Sequence, residues 1–399
     1  MREGWGIKKL GDISKIVYGY TEKASLEEIG PKFLRITDIE DNGVNWHTVP
    51  YCKISPLEYD KYKLVNGDIV FARTGATTGK SFLVKNPPKS VFASYLIKLN
   101  VNKEIFLPEF LLLFFQTDTY WNIINDGISG SAQGGFNATK LGNLSISLPS
   151  LEVQRSIILI IQSAFSIIDQ AKSNTQKNLQ NTKDLFESYL QSVFENKGEG
   201  WEEKTLGEIA QVKSGGTPSR SKKEYWEGDI AWYSSGELNN LYTTEPERYI
   251  NELAINNSNS KLFPKGSLLI GMYDTAALKM SILDRDGTFN QAIAGVKPNE
   301  KIDLYFILHS INAIKPELLS MRRGVRQKNL SLEKIKNIPI FLPPLTEQKA
   351  LVQKLKVLST QTKKLEAIYQ KKLADLEELK KSILQKAFSG ELTANEVAV

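Results

Sequence analysis

Between Arg73 and Ser81 the chain reads Arg-Thr-Gly-Ala-Thr-Thr-Gly-Lys-Ser, the residue types from which a phosphate cradle is made. Such a cradle wraps backbone N–H groups around phosphates and needs the spacing G-x-x-x-x-G-K-[ST]. Here Gly75 and Gly79 stand one residue too close, and Thr74 occupies the place of the first glycine. Further along, the aligned stretch Tyr273-Asp274-Thr275-Ala276-Ala277-Leu278-Lys279 keeps only the lysine. A nucleotide-hydrolysing enzyme built on this loop is therefore not supported. Both stretches read better as strand-to-strand turns where backbone amides and a cation, Lys80 or Lys279, meet the phosphates of a nucleic acid. Arg73 has the planar fork that pairs with both acceptors of guanine, and is otherwise a surface charge.

Other candidate chemistry is thinner. Asn86-Pro87-Pro88-Lys89 has the start of an adenine-methylating motif, but Lys89 replaces the aromatic that would stack on a flipped base, and no glycine-rich cofactor signature precedes it, so a surface turn is the reading. The two histidines, His47 and His309, have no companion at metal-ligand spacing, and the single Cys52 cannot complete a zinc site. No metal site and no catalytic residue is nominated. The densest basic run outside the long helices is Met321-Arg322-Arg323-Gly324-Val325-Arg326-Gln327-Lys328, whose counterpart earlier in the chain is Gly127-Ile128-Ser129-Gly130-Ser131-Ala132-Gln133-Gly134. Shared Gly and Gln with exchanged neighbours suggest one backbone loop carrying different readers. Gln133 and Gln327 suit adenine edges, Arg322, Arg323, Arg326 and Lys328 suit guanine or phosphate, and Ser131 suits either; the competing view is a solvated charge run. Trp232, Tyr233, Phe71 and Phe92 lie in alternating apolar stretches that read as core strands.

The elements that must position these loops occur twice. Gly130, Gln133, Lys140, Asn143, Ile146, Leu148, Pro149, Leu151 and Gln154 recur at a constant offset of 194, ending at Gln348. The openings match too: Gly4, Trp5, Lys8, Leu10, Gly11, Ile13 and Gly19 reappear as Gly200, Trp201, Lys204, Leu206, Gly207, Ile209 and Gly215. A period this long exceeds the ~20 to 50 residues of a solenoid, so each copy is a domain. After each copy a proline stop leads into a long heptad pattern. The first seam is Ile157, Ile161, Ala164, Ile168, Ala171, Thr175, Asn178, Thr182, Leu185, Tyr189 and Ser192; the second is Leu351, Leu355, Leu358, Thr362, Leu365, Tyr369, Lys372, Leu376, Leu379, Ile383 and Lys386. Helices of about 40 to 45 residues, roughly 65 Å at 1.5 Å per residue, need a partner along their length.

Composition is that of an ordinary globular chain, 41% hydrophobic and 24% charged, which excludes disorder and collagen-like structure. One cysteine forms no internal disulfide, no apolar leader opens the chain, and the most apolar stretch, 157 to 168, is short for a bilayer; a reducing cytoplasm and no membrane are the expectation. A net charge of +6 is compatible with a polyanionic partner without requiring one.

A domain that opens on Trp with Leu-Gly five residues on, closes on Ile-x-Leu-Pro-x-Leu-x-x-Gln, leads into a long helix and is then repeated resembles the specificity subunit of type I restriction-modification enzymes. Phe33 to Ile39, Ile230 to Tyr233, and Asn66-Gly67-Asp68 with Lys265-Gly266-Ser267 carry the same likeness. Gly215-Gly216-Thr217-Pro218-Ser219 does so only in the second copy, where Thr217, Ser219 and Tyr273 join the candidate DNA contacts. The resemblance implies a mixed α/β fold with two target-recognition domains, 1–150 and 198–344, spacer helices 151–197 and 345–390 forming an antiparallel coiled coil, and a tail, 391–399. It implies that each domain reads half of a split sequence in double-stranded DNA, that two modification subunits dock and methylate adenine, and that restriction subunits join. No cofactor is expected in this chain; S-adenosylmethionine, ATP and Mg belong to the partners. The alternative is a structural coiled-coil adaptor without DNA specificity, which predicts no salt-dependent duplex binding.

Overall fold

The computed structural model describes residues 5–40, 43–129, 135–320 and 330–393. The first repeat opens with β1 (Gly6–Lys9), the single turn α1 (Leu10–Ile13) and β2 (Ser14–Tyr18). It continues through β3 (Lys32–Leu34), the short hairpin β4 (Ile39–Glu40) and β5 (Gly43–Val44), and α2 (Pro56–Tyr62). The Ser55 hydroxyl accepts from the Glu58 N–H, and Pro56 sits in the first turn, so this helix starts where capping chemistry says it should. Then come β6 (Ile69–Ala72), β7 (Ser81–Leu83), β8 (Ser90–Phe92), β9 (Leu96–Val101), α3 (Pro108–Phe114), α4 (Asp118–Ser129), α5 (Ala138–Gly142), β10 (Ser145–Leu148) and the long α6 (Leu151–Glu195).

The second repeat traces the same path: β11 (Glu202–Thr205), α7 (Leu206–Ile209), β12 (Val212–Ser214), β13 (Ile230–Tyr233), β14 (Arg248–Ile250), α8 (Glu252–Asn256), β15 (Leu268–Gly271), β16 (Met280–Ile282), β17 (Gly287–Phe289), β18 (Ile293–Val296), α9 (Leu304–Ser320), α10 (Leu332–Lys336), β19 (Pro339–Leu342) and α11 (Leu345–Ser389). Three of its sheets correspond to sheets of the first repeat, with β14 added to the parallel pair and no described counterpart of the β4–β5 hairpin. The four-stranded order β2-β9-β6-β7 recurs as β12-β18-β15-β16, the parallel pair β3 with β8 as β13 with β17, and the closing pair β1 with β10 as β11 with β19. The mixed α/β fold and the duplication both stand.

The central strands β6 and β15 are buried at every position, as their unbroken apolar sequences require. Phe71, Phe92, Trp232 and Tyr233 are core residues, each 3% exposed or less. Gly19 and its counterpart Gly215 permit a tight crossing: a Cβ there would lie 2.1 Å from the carbonyl oxygen of Ala93 or of Phe289. The repeated glutamines have a structural duty. Gln154 is fully buried; its Oε1 accepts from the Leu107 N–H and its Nε2 donates to the carbonyls of Ile105 and Pro149. Gln348 does the same with the Asp303 N–H and the Lys301 and Pro343 carbonyls. Each glutamine thus ties the first turn of a long helix to the loop ahead of α3 or α9.

The chain divides into two compact units, Met1–Gln176 with Gln370–Val399, and Lys177–Tyr369, so each long helix contributes one half to each unit. Within the first unit α6 and α11 run antiparallel: Lys172 pairs with Glu377, and Lys380 pairs with Asp169 and lies over the Phe165 ring. Ile157 and Ile161 of α6 pack with Leu384 and Ala387 of α11 in that unit's core.

The seam itself needs a correction. Leu185, Leu365 and Leu379 are 52%, 39% and 46% exposed, and Asn178, Lys372 and Lys386 are exposed too. The inward positions lie one residue on, at Phe165, Lys172, Leu179 and Phe186 in α6 and at Glu366, Leu373, Lys380 and Ala387 in α11. A 3.5-residue period leaves two registers that share every seventh residue, here Ile161, Ile168, Thr175 and Thr182, and the neighbouring surface chooses between them. Ile157, Ile161, Ile168 and Leu355 are buried, and Tyr189, Leu351, Leu358, Leu376 and Ile383 half-buried, as expected of seam residues. The buried middle is threonine: Thr175, Thr182 and Thr362 satisfy their hydroxyls on the carbonyls of Ala171, Asn178 and Leu358 four residues back.

By length and composition α6 is apolar enough to cross a bilayer, with a window of mean hydropathy 1.4, more than its apolar run suggested. Its Ile157, Ile158 and Ile161 are buried in a protein core, while 22% of that window is buried in all.

Candidate nucleic-acid interface

In the first repeat β6 and β7 pair antiparallel, and the turn between them runs through one turn of 3-10 helix at Gly75–Thr77. Gly75 and Gly79 have φ of +77° and +95°, which glycine adopts without strain. A strand follows where a phosphate cradle would place a helix N-terminus, so the strand-to-strand reading holds.

Arg73 enters this turn held by its backbone, its Nε and a ring contact. Its N–H donates to the Tyr95 carbonyl at 3.1 Å and its carbonyl accepts from the Phe136 N–H at 2.9 Å. Its Nε donates to the Ser94 carbonyl at 2.9 Å, and the guanidinium carbon lies 5.0 Å from the centre of the Tyr18 ring. The Tyr18 hydroxyl accepts from the Ala138 N–H at 3.0 Å. A Cβ at Gly135 would sit 3.2 Å from the Arg73 carbonyl oxygen and 3.7 Å from the methyl of Thr74. Four segments therefore meet at one end of the sheet: the end of β2, the β6–β7 turn, the β8–β9 turn with its exposed Tyr95, and the segment entering α5. The loop with Ser131 and Gln133 runs between α4 and that last segment; both residues lie outside the described residues.

The second repeat builds the same junction from other side chains. Met272 stands where Arg73 stood, its N–H donating to the Ala292 carbonyl at 2.9 Å and its carbonyl accepting from the Leu330 N–H at 2.8 Å. Arg322, Arg323, Arg326, Gln327 and Lys328 precede Leu330 and lie outside the described residues. The Thr217 hydroxyl donates to Gln291 Oε1 at 2.6 Å, which joins the 215–219 loop to the β17–β18 turn. The Ser219 carbonyl accepts from Trp226 Nε1, and Arg248 lies over the Trp226 ring. Tyr273 is half-buried against the unit's core.

Lys80 and Lys279 occupy a different flank of the turn. Lys279 Nζ donates to Asn239 Oδ1 at 2.9 Å, and Lys80 lines a cleft with Glu40, Gly43, Gln116 and Trp121. The structure thus brings Arg73 and Thr74 to the junction with the flank of the 130–134 loop, and sets the two lysines towards the β4–β5 hairpin and the segment of Asn239. Sequence reading missed Tyr18, Ser94 and Gln291. Tyr18 had a signal: it precedes Gly19, whose matched partner Gly215 is preceded by Ser214.

The model of the type I restriction modification DNA specificity domain matches twice, over residues 2–181 and 198–377. The chain is 28% identical over 415 residues to the putative type I restriction enzyme MjaX specificity subunit of Methanocaldococcus jannaschii, covering 98% of this chain and 94% of that protein. The HsdS subunit from Thermoanaerobacter tengcongensis superposes with a TM-score of 0.68 at 20% identity, 98% of each chain being covered. A chain solved for the assembly and conformational transition of the type I R-M system does so with a TM-score of 0.75 at 21% identity, covering 98% of this chain and 99% of that one. At those identities the two structures speak for the fold; the doubly matched domain speaks for the family. A duplicated domain whose loops converge at one sheet end in each copy, matched by that model over most of its length, makes this chain a member of the type I restriction-modification DNA specificity family.

Proposed function

We propose that this chain is the DNA-specificity subunit of a type I restriction-modification complex, each repeat reading one half of a split target and the long helices setting the unread interval. The observation that carries this reading is one frame with two sets of loops. Arg73 in one copy is Met272 in the other, Tyr18 is Ser214, and a polar glycine-rich loop is exchanged for one with three arginines. A shared frame with exchanged side chains is what two different half-sites demand, since base edges are read by side chains while phosphates position the frame.

Each helix halves itself between the units, which supports the spacing role. Exposed Leu159, Ile167, Leu185, Leu365, Ile368 and Leu379 give the helices apolar outer surface that docked modification subunits would cover. On this reading the chain carries no chemistry: S-adenosylmethionine, ATP and Mg are held by two modification subunits and by the restriction subunits. The buried thiol of Cys52, pushed up to about 11 by desolvation, suits a reducing cytoplasm but requires none.

The test is to co-express the chain with its modification subunit and map N6-methyladenine across the host genome. One split motif, two short half-sites around a fixed gap with an adenine methylated on each strand, is the expected result. An assembled complex with a demonstrably active partner that leaves no motif, and a chain that shows no salt-dependent duplex binding, would favour the adaptor instead.

A further inference from the structure

Arg73 and Tyr18 form a pair that the second repeat lacks altogether. We propose that Arg73 reads a guanine in the half-site of the first repeat, and that Tyr18 is the positioning residue that aims it. The inference rests on the specificity-subunit reading above and names one base contact within it.

The guanidinium is fixed before any ligand arrives. Its Nε–H is occupied by the Ser94 carbonyl, and its central carbon lies over the Tyr18 ring, 5.0 Å from the centroid. Tyr18 is itself held by the Ala138 N–H and by the pairing of β2 with β9. The Arg73 backbone is bonded on both sides, to Tyr95 and to Phe136. Among the described residues neither terminal nitrogen donates a hydrogen bond and no carboxylate comes within ion-pair distance. Arg35 and Arg285, by contrast, are paired with Asp38 and with Asp284 and Glu245. What remains is a rigid fork of two parallel N–H donors at a loop junction, and guanine presents O6 and N7 as two adjacent acceptors in the major groove. A flexible lysine offers charge without this geometry. Preorganisation also explains why the two residues go together: where Met272, 2% exposed, replaces the arginine, Ser214 replaces the tyrosine. Tyr18 is 42% exposed, so its ring is not simply core.

The experiment uses the complete complex with its modification subunit and S-adenosylmethionine, and reads the methylated motif together with competition by duplexes carrying single base changes. Arg73→Ala is expected to relax one guanine position of one half-site, lowering discrimination there about 10- to 100-fold, as loss of a bidentate contact should. The other half-site stays intact and reports that the complex has folded and assembled. Arg73→Lys is expected to behave like Arg73→Ala. Tyr18→Ser should relax the same position to a smaller extent than Arg73→Ala, and Tyr18→Phe, which keeps the ring and the β2 pairing but loses the Ala138 hydrogen bond, should relax it less than Tyr18→Ser. If Arg73→Ala weakens cognate and altered duplexes equally with the motif unchanged, Arg73 is a phosphate contact and the inference falls while the function stands. A relaxed position that is not guanine overturns it as well. A motif relaxed by Arg73→Ala but untouched by Tyr18→Ser overturns the positioning role. A wild-type complex with no split motif overturns both the inference and the reading beneath it.

Discussion

Gln154 and Gln348 recur because one buried amide can satisfy three backbone groups that would otherwise lie orphaned at the root of each long helix. Replacing Gln154 by Leu keeps the volume and strands those groups; a loss of about 2–3 kcal/mol in denaturant unfolding is expected, and a loss under about 0.5 would show that water takes the amide's place. His309 presents the opposite case, a buried ring whose two nitrogens have no hydrogen-bond partner among the described residues, packed between Phe186 and Tyr305. Burial lowers its pKa from 6.5 to about 4. The unfolded chain therefore takes up a proton that the folded chain refuses, so stability is complete above pH 6.5 and declines as pH falls towards 4. The decline should be roughly 2 kcal/mol between pH 7 and pH 5 for this group alone. Unfolding of His309→Phe compared with the parent at both pH values tests it: the variant should lose distinctly less stability on acidification, and equal losses would exclude His309 as the cause.

At the level of elements, the long helices show how a seam can be right in period and wrong in phase. Leu384 is 5% exposed and Leu379 46%, although both are leucines in the last turns of α11. Leu384→Ala should cost about 2–4 kcal/mol and Leu379→Ala under about 1, measured by denaturation; a reversed order would restore the other register. The ion pairs Lys172 with Glu377 and Lys380 with Asp169 are partly exposed, so they orient the helices more than they stabilise them, and salt should screen what they add. The β6–β7 turn teaches a related lesson. Its glycines serve left-handed backbone between two strands, and the same letters in front of a helix would have cradled phosphate.

For the molecule as a whole, the spacing role predicts a separable effect. Removing one heptad from each long helix, Gln176–Thr182 and Ala367–Leu373, shortens each by about 10 Å, or about three base-pair steps at 3.4 Å. The methylated motif of that variant should keep both half-sites and lose about three positions from the gap. A changed half-site would show that the helices shape the readers themselves, and an unchanged gap would remove the helices from spacing.

The duplication, the two long helices and the mixed α/β class were legible from residues alone, because they rest on local signals: a fixed offset, a 3.5-residue period, proline stops and glycine turns. So were the core aromatics and the failure of the phosphate-cradle spacing. The phase of the helices was not, since steps of three and four alternate equally well in two registers and only the packed neighbour selects one. Nor was the junction around Arg73. Tyr18 lies 55 residues away in sequence and Ala138 65, brought there by β2 pairing with β9 and by the Ala138 N–H bond to the Tyr18 hydroxyl. Residue type told that Arg73 carries the planar fork a base contact would use. Whether its fork is aimed, and by what, was decided by long-range strand pairing, which no spacing within the chain encodes.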